Sequence, residues 1–216
     1  IPRPAVDGQP LAANASRLLD TLEYLGHPLP KETELQLRAA IKAENADDVQ
    51  LLFDQQVLFA VSINPELRVK VARGPGDSVV QQAGYTPVLV KVINDATVTR
   101  RLRISSPQAG PVYAGTVEAI LQRQAQTELK INENVKGDRR FLAVEIFDQS
   151  PMTSRLSGLQ VEYLVALIYS SEAGQREANI VFDIGEGTQD LGFRSEVPVL
   201  FSVASAVPVR LSINDF

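Results

Sequence analysis

The chain changes its periodicity once, near Val57, and that change constrains its folding more than any single motif does. Before it, over residues 12–56, apolar residues recur every three or four positions, the spacing that gathers them on one helix face. After it, short runs alternate apolar and polar residues between turn signals, the mark of half-buried strands. The sequence predicts a mainly β fold with a small α region: helices in residues 1–56, and a β region over 57–216 with room for two subdomains.

In the first part, Asn14 or Ser16 can cap a helix carrying Leu18, Leu19, Leu22 and Leu25, which Gly26, Pro28 and Pro30 end. A second helix starts at Pro30, with Glu32 and Glu34 suited to the dipole of its first turn and Leu35, Leu37, Ala40 and Ile41 as apolar material. Asn45 caps a third, which carries Asp47, Asp48, Val49, Leu51, Leu52 and Phe53. The three form a short bundle, too small to stand alone and expected to pack on the β region.

In the second part the expected strands are 57–63, 66–73, 87–95, 98–105, 127–132, 140–148, 159–170, 176–184, 196–204 and 207–214. Asn94-Asp95 suggests a hairpin between Val88–Ile93 and Val98–Ile104, and the polar run Ser170–Gln175 suggests another. Helical patterns do not alternate with the strands, which disfavours parallel βαβ packing. An Ig-like antiparallel β-sandwich behind the three-helix bundle is the expected architecture.

Composition narrows the function. The chain has no cysteine, no tryptophan and one histidine, His27, whereas most metal and acid–base sites use His or Cys. A formal charge of −5 argues against a general nucleic-acid binder. No apolar run reaches the roughly 20 residues that span a bilayer as a helix. Ile1 in place of Met, followed by Pro2-Arg3-Pro4, points to removal of an upstream segment, with signal-peptide cleavage ahead of a chosen boundary. The expected location is therefore outside the cytoplasm: periplasm, cell surface or extracellular space. At the other end Val207–Phe216 reads as a strand that leads into a further module.

Few residues stand out for chemistry. Asp183, Glu186 and Asp190 lie among glycines in Asp183–Arg194 and form a candidate calcium site. Their spacing does not match the EF-hand, and a glycine-rich turn between strands accounts for the same residues. No other cofactor is implied. Arg100, Arg101, Arg103, Arg139 and Arg140 suggest an anion patch, or the solvated face of a strand. His27 has no Ser or Asp at a recognisable spacing and reads as a helix-end residue whose ring meets the last carbonyls. Asn14-Ala15-Ser16 fits a glycosylation sequon, although a capping role suits it better. Tyr85, Tyr113, Tyr163 and Tyr169 read as core or rim residues.

Four stretches carry a resemblance: Val61–Pro75, Tyr85–Val92, Leu156–Tyr163 and Gly187–Arg194. Together they resemble the amino-terminal, non-catalytic region of large exported planctomycete-type proteins. Those proteins carry further β-modules and a PHP-type metallohydrolase domain, similar to carbaryl hydrolase, downstream. The resemblance covers most of residues 45–216. It implies a non-catalytic front end, because the family's metal ligands are His and Asp residues of the hydrolase domain. The leading expectation is thus an ancillary module for docking, assembly or substrate positioning, with a protein partner or self-association through sheet edges. The alternatives are a self-associating structural protein of a cell surface or filament, and a hydrolase working through carboxylates alone.

Overall fold

A computed structural model describes residues 1–110, 140–185 and 194–207. Three helices come first: α1 (Gly8–Tyr24), α2 (Lys31–Lys42) and α3 (Ala46–Asp54). The first starts well before Asn14 and Ser16, because Asp7 is its cap and accepts the Gln9 N–H at 3.1 Å. Pro10 is tolerated there, since first-turn N–H groups lack intrahelical partners.

Helices α1 and α2 end alike. Gly26 sits at φ +69, its N–H bonds the Glu23 carbonyl, and the His27 N–H reaches back to Leu22 at 2.9 Å. Glu44 takes the same left-handed conformation at φ 51, and the Asn45 N–H reaches back to Ala40 at 3.0 Å. Asn45 then turns the chain into α3 by accepting the N–H groups of Asp47 and Asp48, as expected.

The rest is β: β1 (Val57–Ile63), β2 (Val69–Arg73), β3 (Val79–Gln81), β4 (Tyr85–Asn94), β5 (Arg103–Ser105), β6 (Leu142–Ile146), β7 (Val161–Ser170), β8 (Gly174–Asp183) and β9 (Glu196–Ala204). Among the described residues they form a five-stranded sheet, β2-β1-β4-β7-β6, and a four-stranded sheet, β3-β9-β8-β5. The described strands 57–63 and 196–204 match their expected bounds. The expected strand at 127–132 and most of 207–214 lie outside the described residues.

The five-stranded sheet is the middle of three layers. The helices lie on one face, with α1 against β7, and the four-stranded sheet faces the other. Strands β4 and β7 are therefore buried at nearly every position and read as continuous apolar runs instead of alternating ones. Phe59 of β1 meets Phe182 of β8 across the two sheets, with ring centroids 5.3 Å apart. One core runs from Leu18 and Phe53 through Val90 and Leu164 to Phe182 and Phe201. Truncating a fully buried ring such as Phe59 to Ala would cost about 3–5 kcal/mol.

Three expectations are corrected. The sheets are mixed, not antiparallel: β1 runs parallel to β4, and β3 parallel to β9. The reason is that the crossover between β1 and β4 is made of strands. After the β1–β2 hairpin the chain visits the second sheet as β3 before returning beside β1. The 88–93/98–104 hairpin does not form, because β4 is flanked by β1 and β7 while β5 pairs with β8 in the other sheet. The Asn94 side chain bonds both the carbonyl and the N–H of Val98 and steers the chain out of the first sheet. Likewise Ser170–Gln175 is a corner between layers, not a hairpin loop: β7 pairs with β4 and β6, and β8 with β9 and β5. Gly174 at φ +87 makes that corner.

Candidate functional site: a buried polar knot and an open edge

Polar chemistry concentrates in two places. The first lies between the helices and the middle sheet. Lys91 projects from β4 toward α3 with its side chain fully buried. Its Nζ donates to Asp54 Oδ1 at 2.8 Å, to Asp54 Oδ2 at 3.0 Å and to the Pro2 carbonyl at 2.9 Å. All three ammonium donors are thus used. The Tyr163 O–H, from the neighbouring strand β7, donates to Asp54 Oδ1 at 2.9 Å. Arg3 stands at 4.0 Å from the other carboxylate oxygen, at the solvent side.

Burial pushes the Lys91 amine below its ordinary value, against the opposing pull of Asp54. Burial, and then the Asp54 charge and hydrogen bond, pushes the Tyr163 phenol up, so it remains a donor. Beside the knot, Gln50 Nε2 bonds the Pro4 carbonyl, so the segment before α1 is held by side chains that reach out from the layers beneath.

Asn14 adds a second tie. It lies inside α1, buried, and pairs with the backbone of β7: its Nδ2 donates to the Tyr163 carbonyl at 3.0 Å and its Oδ1 accepts the Tyr163 N–H at 2.8 Å. Strand β6 does not extend along this part of β7, and the amide supplies the missing ladder bonds. Asn14 is therefore neither a cap nor an exposed sequon. On the opposite face Glu162 is buried and accepts the N–H and O–H of Ser157; burial pushes its carboxyl above the ordinary value, against those bonds.

The second place is a groove of about 330 Å³ between β5 and β6, each the outermost strand of its sheet among the described residues. Leu102, Ile104, Ile146 and Phe147 line its apolar part, and Arg101 and Asp148 stand at its rim. These two charges pair at 2.9 Å. Although partial burial opposes it, the Ser154 N–H and O–H and the Arg101 guanidinium hold the Asp148 carboxyl below its ordinary value.

The backbone along β6 alternates in where it points. The Leu142 N–H goes outward to Gln108 and its carbonyl receives the Gly110 N–H, whereas the Phe147 N–H goes inward to Val165 of β7. By that alternation the N–H and C=O groups of Val144 and Ile146 point away from β7. Elsewhere the edges are blunted: Arg194 accepts the Val71 N–H of β2, and Thr86 Oγ1 accepts the Gln81 N–H of three-residue β3.

The residues singled out from sequence fare differently. Asp183 ends β8, where its Oδ1 accepts the Gly185 N–H at 2.8 Å and lies 4.0 Å from Arg103. A guanidinium at that distance disfavours a cation on the same carboxylate. Glu186 and Asp190 lie outside the described residues, and no group of three His, Asp or Glu suited to a metal occurs among the described ones. Arg101 and Arg103 both reach the groove, while Arg139 falls outside the described residues. The His27 backbone N–H closes α1 by bonding the Leu22 carbonyl. Tyr85 and Tyr169 pair as rim aromatics at 5.4 Å, and Tyr113 is outside the described residues.

Sequence reasoning missed Lys91, although a lysine inside Val88–Ile93 carries a signal: a charge in a continuous apolar run must find a buried partner. A scan against protein-family models gives no match to this chain, and a search of curated proteins gives none either.

Proposed function

We propose that this chain is a non-catalytic interaction module that accepts an extended peptide segment along β6, in the opening between β5 and β6. The outward backbone of Val144 and Ile146 beside an apolar groove carries the reading, because main-chain groups supply affinity and the groove supplies side-chain selectivity in β-strand addition. The chemistry of the knot supports it from the other side. Lys91, Asp54 and Tyr163 bond one another in a buried place, which suits a structural tie between the helices and the middle sheet. Such a module suits the front end of a larger exported protein, the context that the sequence resemblance implies. Two facing sheets support a sandwich, while the parallel pairs β1/β4 and β3/β9 depart from the antiparallel Ig-like arrangement.

The test is selection from a random peptide library displayed on phage, repeated with Ile146→Pro and Ile146→Ala. Proline removes the outward N–H at an edge position that tolerates it, and alanine removes only the side chain. Selected peptides should bind the parent and the alanine variant and lose the proline variant by tenfold or more. Failure to select any peptide, or equal binding to all three proteins, refutes the reading.

A further inference from the structure

The segment before α1 lies across the knot as a bound peptide would. Each of its first four residues meets a partner. The Ile1 side chain stands against Gly74, and the Pro2 carbonyl accepts from Lys91 Nζ at 2.9 Å. Arg3 Nε is 4.0 Å from Asp54 Oδ2, and the Pro4 carbonyl accepts from Gln50 Nε2 at 3.0 Å. The contacts at positions 2 and 4 are made to main-chain carbonyls, which any residue offers. Arg3 is half-exposed and faces Asp54 by charge. The receiving side chains come from two layers, Gln50 and Asp54 from α3 and Lys91 from β4. None of them lines the groove between β5 and β6.

The site can bond more than this segment supplies. Gln50 is fully buried, and its Oε1 has no hydrogen-bond partner among the described residues. That oxygen shares an amide carbon with the Nε2 that bonds Pro4, so it lies at the same point of the segment. Asn14 shows what such an amide does with a complete partner: Nδ2 donates to the Tyr163 carbonyl, and Oδ1 accepts the N–H of the same residue. Gln50 finds only half of that pairing, because proline has a carbonyl and no N–H. A buried acceptor without a donor favours any occupant that brings one.

We propose that Gln50, Asp54 and Lys91 form a second peptide site, held in cis by Ile1–Pro4 and selective for an extended basic segment: an arginine followed by a residue other than proline. The carbonyls at positions 2 and 4 take the Lys91 and Gln50 donors. The guanidinium complements Asp54, and the N–H after the arginine fills the Gln50 acceptor. The chain's own segment is thereby an imperfect occupant that a better one replaces. A tethered segment acts at an effective concentration of about 1 mM, so a tenfold gain from the added hydrogen bond brings half-displacement to about 0.1 mM.

NMR titration of the full chain tests this, read from the backbone amide signals of Gln50, Asp54 and Lys91. Two hexapeptides capped at both ends serve as probes: one copies residues 1–6, and the other carries alanine in place of Pro4. The alanine peptide should shift those signals at concentrations tenfold or more below the proline copy. Pro4→Ala in the chain itself should then raise the concentration needed by tenfold or more. Loss of proline without a new hydrogen bond would instead loosen the segment and lower it. Gln50→Leu should erase the difference between the two peptides. Four results overturn the proposal: no shift of the three signals with the alanine peptide at about 1 mM, equal action of both peptides on the parent, easier displacement from Pro4→Ala, or a difference that survives in Gln50→Leu.

Discussion

Replacing Asn14 should convert a structural bond into a pH-dependent one. Its amide satisfies two backbone groups of Tyr163 that no described strand reaches, and Asn14 and Tyr163 are both buried. Asn14→Ala leaves a donor and an acceptor unpaired at about 1–3 kcal/mol each, a loss of about 2–6 kcal/mol. Asn14→Asp is the more discriminating change. An ionised carboxylate can still accept the Tyr163 N–H, but it presents a second oxygen to the Tyr163 carbonyl, where only a donor fits. Protonation restores that donor. The folded state therefore favours the neutral acid, and its pKa rises above the unfolded value of about 3.9. A raised folded pKa contributes stability that is present below the unfolded value and lost as pH rises through the folded one. The deficit of Asn14→Asp relative to the parent should thus be small near pH 4 and grow by about 2 kcal/mol or more toward pH 7. Urea unfolding of both proteins across that range measures the difference and cancels the background titration. A deficit independent of pH, or an Asn14→Ala loss below about 1 kcal/mol, would refute the assigned bonds.

The same geometry has other consequences. Lys91→Met strands a buried carboxylate and should cost about 3–5 kcal/mol by urea unfolding, whereas Lys91→Met with Asp54→Asn should recover at least half of it. Glu162 has a raised folded pKa, so its neutral form favours folding. The parent should lose stability as pH rises from 4.5 through the folded value, and Glu162→Gln should flatten that slope in thermal melts at successive pH values. Asp148 titrates in the opposite sense: its contribution is present above 3.8 and lost as pH falls through its lowered value, and Asp148→Asn should remove that acid-side loss in the same melts.

The elements were legible in the sequence where local signals decide them. Asn45 could be read as a cap, Gly26 as a stop, and Val57–Ile63 as a strand, because each depends on residues a few positions away. Partnering was not legible. Asn94-Asp95 looks the same whether the chain folds back in one sheet or crosses to another, and only the occupancy of both sides of β4 by β1 and β7 decides it. The parallel pairs were hidden for the same reason, since a crossover built from strands leaves no helical pattern between them. Asn14 was misread because its partners are the backbone groups of a strand 149 positions away. Lys91 was legible in principle, as a charge inside an apolar run, but its partner Asp54 was not. The groove arises from where two sheets end, which no local pattern encodes.

The binding claim is tested most directly by amide hydrogen exchange of the protein alone and with a peptide selected on it. The account predicts that the Val144 and Ile146 amides exchange rapidly in the protein alone, while Glu145, bonded into β7, is protected, and that the peptide slows both outward amides by tenfold or more. Protection arising on the outer face of the four-stranded sheet, or no change along β6, would contradict it.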